Sequence, residues 1–224
     1  MSRFVTSATL LFAVAAAASC GGRPSGAPPA PAASPAAEFE ARFRARRDSA
    51  QAVYTEADAG FMAGMIGHHA QALAMAGLAP THGAAPDIRT LAARIVNAQE
   101  GEITIMRQWL TDRGRPAPEV HVEGAALTIH GPEHLMHMPG MLTPEQMAAL
   151  DRARGPDFDR LFLTSMIQHH QGAVRMVHDL FATDGAARNE VVFKLASDIQ
   201  VDQVTEIARM ERMLDALSAT SPRP

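Results

Sequence analysis

One stretch of the sequence occurs twice, and this duplication constrains the fold more than any other feature. Met65-Ile66-Gly67-His68-His69 in the first half matches Met166-Ile167-Gln168-His169-His170 in the second half, at an offset of 101 residues from His68 to His169. An aspartate and a phenylalanine precede each copy at equal distances: Asp58 and Phe61, then Asp159 and Phe162. Two copies of one structural unit are the simplest explanation of such self-similarity.

A second matched block follows each copy, at an offset of 104 residues. It contains Ile95, Gln99, Glu102, Ile103 and Met106 in the first half and Ile199, Gln203, Glu206, Ile207 and Met210 in the second half. The loop between the two blocks is therefore three residues longer in the second half. Each unit is predicted to be a pair of helices joined by a loop.

Apolar residues recur at spacings of three and four in four long segments, which predicts four amphipathic helices. A capping box at Thr143 and Gln146 predicts a fifth, short helix that ends near Ala153. The four long helices are predicted to span Glu56–Leu78 with Thr55 as N-cap, Asp87–Arg113 starting at Asp87 as N-cap, Phe158–Phe181 with Asp157 as N-cap, and Ala186–Leu217.

No segment has the alternation and turn chemistry that predict strands. The sequence therefore predicts an all-α protein, an antiparallel four-helix bundle made of two repeated helical hairpins and one long crossover. The bundle domain would span residues 55–217. Its first repeat covers residues 55–113, the crossover 114–156 and the second repeat 157–217.

The N-terminus is typical of an export signal. Arg3 provides a positive charge, residues 10–18 form a short apolar run, and small residues precede Cys20. This pattern predicts a signal peptide over residues 1–19. Cys20 is placed like the acylated cysteine in the lipobox of bacterial lipoproteins, so we expect it to anchor the chain to a membrane. Ala17 stands where leucine is usual, which leaves simple cleavage and release open.

The residues that follow favour a tether rather than a core. Residues 20–37 consist almost entirely of Gly, Pro, Ala and Ser, a composition typical of extended linkers. Residues 38–54 are charged and rich in arginine, and they indicate a short exposed helix. Cys20 is the only cysteine, which excludes an internal disulfide and a thiolate metal cluster.

Charge and motifs exclude several classes of protein. The net charge of -4, with both signs mixed along the chain, provides no basic surface for nucleic acid. Ferritin-like di-iron sites use Glu-x-x-His, whereas Glu102 is followed by Ile105 and Glu206 by Arg209. His-Glu-x-x-His and Gly-x-Ser-x-Gly motifs are absent as well. We therefore expect no enzymatic activity, and a redox enzyme with a metal centre is a weaker alternative.

Both His-His pairs lie on apolar helical faces, together with thioethers and carboxylates. Buried imidazoles and carboxylates need partners, and antiparallel helices would bring the matched groups of both repeats to one level. Such a shell predicts a metal site. Its candidate ligands are Met65, His68, His69, Glu102, Met106, Met166, His169, His170, Glu206 and Met210, with Met75 and Met176 as additional candidates. The candidate supporting residues are Asp58, Gln99, Asp159 and Gln203.

The crossover carries a separate set of soft ligands: His130, His134, Met136, His137, Met138 and Met141. Thioethers beside imidazoles suit Cu(I) and can accept Cu(II) through the nitrogens. Thioethers also stay available in an oxidising compartment, where free thiols would be oxidised. The exported location and the ligand type thus both favour copper.

Each of these elements also has a purely structural explanation. Methionine at helical spacing commonly fills a core, and a buried histidine is commonly a hydrogen-bonded structural residue. Gln99 and Gln203 would then bond the histidines. The alternative function is a non-catalytic interaction module that docks a partner protein, with these polar groups forming a core network.

The doubled pattern as a whole resembles a known family. Asp-x-x-Phe followed by Met-Ile-x-His-His, then Ile-x-x-x-Gln-x-x-Glu-Ile-x-x-Met, is similar to the bacterial "domain of unknown function 305" (DUF305) family over about residues 55–216. Residues 137–147 and 158–162 resemble that family too. The resemblance implies a ferritin-like fold, and it implies the ten ligand candidates named above as the functional positions.

The resemblance also implies a function, because some members are periplasmic, Met/His-rich proteins that bind copper and help cells tolerate it. Arg175 and His178 stand where the first copy has Ala74 and Gly77, so the two halves need not be equivalent. We therefore expect an exported protein of the cell envelope or periplasm, lipid-anchored at Cys20, that binds Cu(I) or Cu(II) for buffering or delivery.

Overall fold

The computed structural model describes residues 34, 36–42, 44, 53–130 and 138–220. The chain divides into two compact units, Met1–Ala41 and Arg42–Pro224. Helix α1, residues 36–42, is exposed over its whole length. It overlaps the start of the short helix predicted over residues 38–54, and residues 43 and 45–52 of that range lie outside the described residues. The predicted signal peptide and Cys20 lie outside the described residues.

The second unit is mostly helical, as predicted, with one small two-stranded sheet. Its helices are α2 (Glu56–Gly77), α3 (Pro86–Thr111), α4 (Pro144–Arg152), α5 (Gly155–Phe181) and α6 (Glu190–Thr220). Helix α2 packs against α3, α5 packs against α6, and α2 packs against α5. The two repeats therefore form two hairpins that meet through their histidine-bearing helices. None of the described helices is both long and apolar enough to cross a bilayer.

Two of the predicted helix starts are confirmed in detail. The hydroxyl of Thr55 accepts a hydrogen bond from the backbone of Asp58, whose carboxylate accepts one from the backbone of Thr55. Thr143 and Gln146 form the same reciprocal capping box at the start of α4. These side chains satisfy backbone N–H groups that have no partner inside the helix.

Three other helix starts were predicted wrongly. Helix α3 begins at Pro86 after Ala85, and α5 begins at Gly155 after Arg154, so Asp87 and Asp157 lie inside the first turn. Proline is pre-set for the first helical turn, and an acidic residue there complements the helix dipole without being the N-cap.

Helix α6 begins at Glu190 rather than Ala186, because the side-chain oxygen of Asn189 accepts from the backbone N–H groups of Val191 and Val192. Ala187, with a φ of 54°, keeps the preceding loop out of the helix.

The prediction that the chain has no strands was wrong. Strands β1 (Glu119–Glu123) and β2 (Ala126–His130) form an antiparallel hairpin inside the crossover, with Val120 opposite Ile129. Gly124 makes the turn in the left-handed region, with a φ of 57°. The hairpin packs against α2. Val120 and Val122 alternate with polar residues in β1, as Leu127 and Ile129 do in β2, so the signal for a hairpin was present in the sequence and was missed.

The bundle has two apolar clusters rather than one continuous core. The first contains Met65 and Ile66 of α2, and the second begins at Ala72 of the same helix. In α5 the order is reversed: Met166 belongs to the second cluster and Ala173 to the first. The His-His pairs lie in the interval between the clusters on both helices, so the antiparallel packing places them at one level. We call His68, His69, His169 and His170 the histidine layer.

Candidate functional site

The histidine layer is completely buried. Each of its four residues is 0% exposed. The rings of His68 and His169 lie against each other across the α2–α5 contact, with centroids 3.9 Å apart and an interplanar angle of 38°. The duplicated motif therefore brings imidazoles from the two repeats together, as the sequence predicted.

The other two histidines each bond a glutamate within their own hairpin. His69 Nε2 donates to Glu102 Oε2 at 2.6 Å, and His170 Nε2 donates to Glu206 Oε2 at 2.7 Å. The same bond thus occurs in both repeats. A carboxylate only accepts hydrogen bonds, so the proton of each imidazole is on Nε2 and a neutral ring carries its lone pair on Nδ1.

His68 and His169, which we call the stacked pair, bond backbone carbonyls, and here the two repeats differ. His68 Nε2 donates to Pro139 O in the crossover at 3.0 Å, whereas His169 Nε2 donates to His68 O at 3.0 Å. A carbonyl is also an acceptor only, which again leaves the lone pair on Nδ1. All four Nδ1 atoms of the layer are buried without a hydrogen-bond partner among the described residues.

Burial keeps the stacked pair uncharged. Desolvation, together with the neighbouring His69 and His170, lowers the pKa of His68 to about 3. Desolvation and the other three imidazoles hold the pKa of His169 well below 6.5. Both rings are therefore neutral at physiological pH, and the neutral imidazole is the form that ligates metals.

The predicted thioether ligands of the bundle lie in the apolar clusters next to the layer. Met65 and Met106 lie in the first apolar cluster, and Met166 and Met210 lie in the second. All four are 0% exposed. These thioethers thus belong to the apolar clusters that border the layer on both sides, and the metal site that they were predicted to share with the imidazoles and carboxylates stays a prediction. Among the described residues, no three His, Cys, Asp or Glu side chains are grouped so as to hold a metal ion.

The predicted supporting residues divide into two groups. Gln99 and Gln203 are buried, but they do not bond the histidines: both amide atoms of Gln99 and Oε1 of Gln203 lack partners. Asp58 Oδ1 instead accepts from the backbone of Ala187 at 2.6 Å, and Asp159 accepts from the backbone of Ala85 at 3.1 Å.

Asp58 precedes His68 by ten residues of helix, which is about 15 Å. Both aspartates therefore tie one repeat to the loop of the other at the ends of the bundle, away from the layer. Of the two additional thioether candidates, Met75 is buried in the second cluster, and Met176 is half-buried beside a small cavity that Phe61 and Pro139 also line.

The crossover borders a cavity that is lined by thioethers. Met138, Met141 and Met147 line a cavity of about 820 Å³, together with Gln71 and the turn of the β-hairpin. Met138 and Met141 were predicted from the sequence, whereas Met147, which lies on α4, was not. Helix α4 starts directly after the crossover, so Met147, its first buried methionine, could have been added to the crossover candidates from the sequence.

The remaining crossover candidates do not reach this cavity or cannot be placed. His130 lies exposed at the end of β2, with its ring 5.7 Å from that of His121. His134, Met136 and His137 lie outside the described residues.

Two residues at equivalent positions of the repeats hold the crossover against the layer. Gln71 Oε1 accepts from the backbone of Leu142 at 2.7 Å, and its Nε2 donates to the Leu142 carbonyl at 3.0 Å. The equivalent position in α5 is Gly172, where a Cβ atom would overlap the carbonyl of Pro139. The glycine therefore lets the crossover approach closely enough for Pro139 to accept the bond from His68.

The chain is similar to proteins of one family. The sequence model described as "Domain of unknown function (DUF305)" matches residues 58–214. A DUF305 protein from Streptomyces coelicolor is 28% identical, with a TM-score of 0.61 over 75% of this chain and 98% of that one. A DUF305 fragment from Deinococcus radiodurans is 31% identical, with a TM-score of 0.60 over 73% and 98%.

The protein CopM is a further similar structure. Its Cu(I)-bound form is 29% identical to this chain, with a TM-score of 0.53 over 73% of this chain and 98% of that one. CopM has also been solved in Cu(II)-bound, Ag-bound and apo forms. A comparison with curated proteins gives no significant match.

Proposed function

Because this chain belongs to the DUF305 family, we propose that it is an exported protein that binds copper and buffers it in the cell envelope. The similarity to CopM, which binds Cu(I), Cu(II) and silver, supports a metal-binding role. The Streptomyces relative is provisionally classed as secreted, which supports export. The signal-like N-terminus and the absence of a catalytic motif agree with a non-catalytic envelope protein, anchored through an acylated Cys20.

One observation carries the choice of metal and site: three thioethers line one cavity. Cu(I) and silver are soft ions that thioethers bind well. Met138 and Met141 are half-buried and Met147 is 6% exposed, and all three border the same space of about 820 Å³. The thioethers of Met65, Met106, Met166 and Met210 are instead packed inside apolar clusters. We assign the soft-metal site to the cavity thioethers.

The histidine layer adds nitrogen donors of the correct chemical form. Its buried Nδ1 atoms carry lone pairs without partners, and neutral imidazole is a good ligand for copper in either oxidation state. His68 joins the layer to the crossover through Pro139, the residue after Met138. A movement of Met138 on metal binding would therefore be transmitted to His68 through the next residue, Pro139.

A Cu(I) titration of the purified chain against a competing chelator tests the proposal. The variant Met138→Leu/Met141→Leu/Met147→Leu should lose Cu(I) affinity by about tenfold or more, which corresponds to about 1.4 kcal/mol. The matched control is Met62→Leu/Met65→Leu/Met106→Leu, since exchanging methionine for leucine in a core costs little. Equal affinities of the two triple variants would overturn the assignment to the cavity.

A second function is favoured by the symmetry of the layer. Each Nε2 atom has an acceptor, and the His–Glu bond is the same in both repeats, which is what a structural network needs. In this alternative the bundle is an interaction module that docks a partner protein. His69→Ala and His170→Ala would then lower the melting temperature by the same amount with and without copper. A larger loss in the presence of copper would exclude the alternative.

A further inference from the structure

A second polar cavity lies between α3 and α6. It has a volume of about 210 Å³, and its polar lining residues include Gln99, Glu102, Asp202, Gln203 and Glu206. All of these groups except the amide nitrogens offer oxygen atoms. No thioether of the described part of the chain lines it, so it is chemically different from the methionine-lined cavity of the crossover.

The three carboxylates of this cavity act on one another. Glu102 and Glu206 each use one oxygen to accept from a histidine, which leaves the other oxygen of each carboxylate available. Partial burial, followed by the charges of Glu102 and Glu206, raises the pKa of Asp202. One cation, Arg94, also lines the cavity. Three acids against one base leave a net negative charge.

The two glutamines are evidence for a ligand that is independent of the carboxylates. Each is 2% exposed and lines the cavity. Gln99 Oε1 and Nε2 and Gln203 Oε1 have no hydrogen-bond partner. Burying an amide without a partner costs free energy, and leucine would fill the same volume without that cost. The same residue occurs at this place in both repeats. A ligand that bonds these amides would give them the missing partners.

We propose that this cavity binds a hydrated divalent cation that prefers oxygen ligands, of the Mg²⁺, Ca²⁺ and Mn²⁺ class, separately from copper. Such ions are held by carboxylates and amide oxygens, and they keep several water molecules. A volume of about 210 Å³ has room for roughly seven waters. Since no three acidic or imidazole groups of the described residues surround one point, the ion is held partly through water. The glutamine amides bond those waters.

The proposed cation would also connect to the histidine layer. A cation at the free oxygens of Glu102 and Glu206 is one carboxylate away from His69 and His170. Carboxylates that bridge a metal and a histidine orient both groups. The cation site and the layer are therefore coupled through the two His–Glu bonds.

Mn²⁺ alone, titrated into the full chain and followed by the loss of the free-ion signal in electron paramagnetic resonance, tests the site. Asp202→Asn should weaken Mn²⁺ binding by about tenfold or more, and Ca²⁺ should compete for the site. The matched control is Asp198→Asn. Asp198 lies one turn away on α6, is exposed like Asp202 and acts on Asp202 through its charge, but it does not line the cavity. It should leave the affinity within about twofold of the wild type.

Two further variants separate this site from copper binding and from a purely structural role. Met138→Leu/Met141→Leu/Met147→Leu should keep Mn²⁺ binding unchanged, whatever happens to Cu(I). Gln99→Leu/Gln203→Leu should lose Mn²⁺ binding while its melting temperature without metal rises. No saturable Mn²⁺ binding, or equal affinities of Asp202→Asn and Asp198→Asn, would overturn the proposal. Unchanged binding in the double leucine variant would do so as well.

Discussion

The ring of His68 lies 3.9 Å from the ring of His169, although 101 residues separate them in the chain. Both rings are fully buried, and each comes from the same position of a duplicated motif. This contact joins the two repeats at the middle of the bundle. It also forces two imidazoles to stay neutral, and this has a measurable effect on stability.

Acid should destabilise the protein through the stacked pair. Burial lowers the pKa of His68 to about 3 from 6.5, so the unfolded chain binds more protons between these two values. The free energy of unfolding therefore rises with pH across this window, and the contribution is complete above pH 6.5. Urea unfolding at several pH values should show a change on the order of a few kcal/mol from this residue. His68→Asn should flatten the profile, whereas the exposed His178→Asn should not. Parallel profiles for all three proteins would contradict the assignment.

The two His–Glu bonds should be worth similar amounts of stability. Glu102→Ala and Glu206→Ala each leave a buried imidazole N–H without its acceptor, which costs about 1–3 kcal/mol. Denaturant unfolding measures the loss. Glu100→Ala, at an exposed position of the same helix, serves as the control and should stay within about 0.5 kcal/mol of the wild type. A loss in only one of the two repeats would show that the bonds are not equivalent.

Two glycine substitutions should have opposite effects. In Gly172→Ala the new methyl group overlaps the Pro139 carbonyl, so the crossover must move away from α5. We expect a loss of about 1–3 kcal/mol, typical of overpacking, and weaker Cu(I) binding. Gly101→Ala meets no atom within 4 Å and should stabilise α3 by about 0.5–1 kcal/mol. Thermal unfolding and chelator competition report both effects. Unchanged Cu(I) affinity in Gly172→Ala would separate the crossover from the metal site.

Asp58 and Asp159 should behave as ties between the repeats. Asp58→Ala and Asp159→Ala each remove the acceptor of a backbone N–H in the opposite repeat, at a cost of about 1–3 kcal/mol. Asp58→Ala should cost about 1 kcal/mol more, because the residue also completes the capping box of α2. Asp157→Ala, exposed in the first turn of α5, is the control for charge. Larger effects on metal affinity than on unfolding would contradict a purely structural role.

Membrane attachment should depend on Cys20. Cys20→Ser removes the thiol that acylation requires, so the protein should move from the membrane fraction to the soluble fraction of the envelope. Fractionation, with mass spectrometry of the mature N-terminus, measures the change. Recovery of the wild type as a soluble protein with an unmodified N-terminus would favour cleavage and release instead.

The duplicated motif was sufficient to predict the bundle and the meeting of the histidines. Helix periodicity places His68 and His169 on inward faces, and antiparallel packing brings them to one level. The same geometry places the thioethers of the two repeats in different apolar clusters, a result that spacing within one helix could not reveal. Met65 precedes His68 by three residues, about 4.5 Å along the axis. Because α2 and α5 run in opposite directions, Met65 and Met166 lie on opposite sides of the layer.

The methionine-lined cavity depends on contacts that no local pattern encodes. Met147 reaches it from α4, and the β-hairpin closes it from the other side of the crossover. The partner-less amides of Gln99 and Gln203 are likewise a property of the assembled helices. From the sequence alone, bonds from these two residues to the histidines belonged to the structural alternative to a metal site.

The glutamine at position 71 and the glycine at position 172 also bear on how such a protein can arise. A symmetric dimer of two first-half hairpins would have glutamine at both places, and it would lack the glycine that leaves room for the Pro139 carbonyl. A dimer of two second-half hairpins would have glycine at both places and no glutamine side chain to bond the backbone of the crossover. Binding the crossover on one side of the bundle thus requires the two halves to differ at this pair of positions.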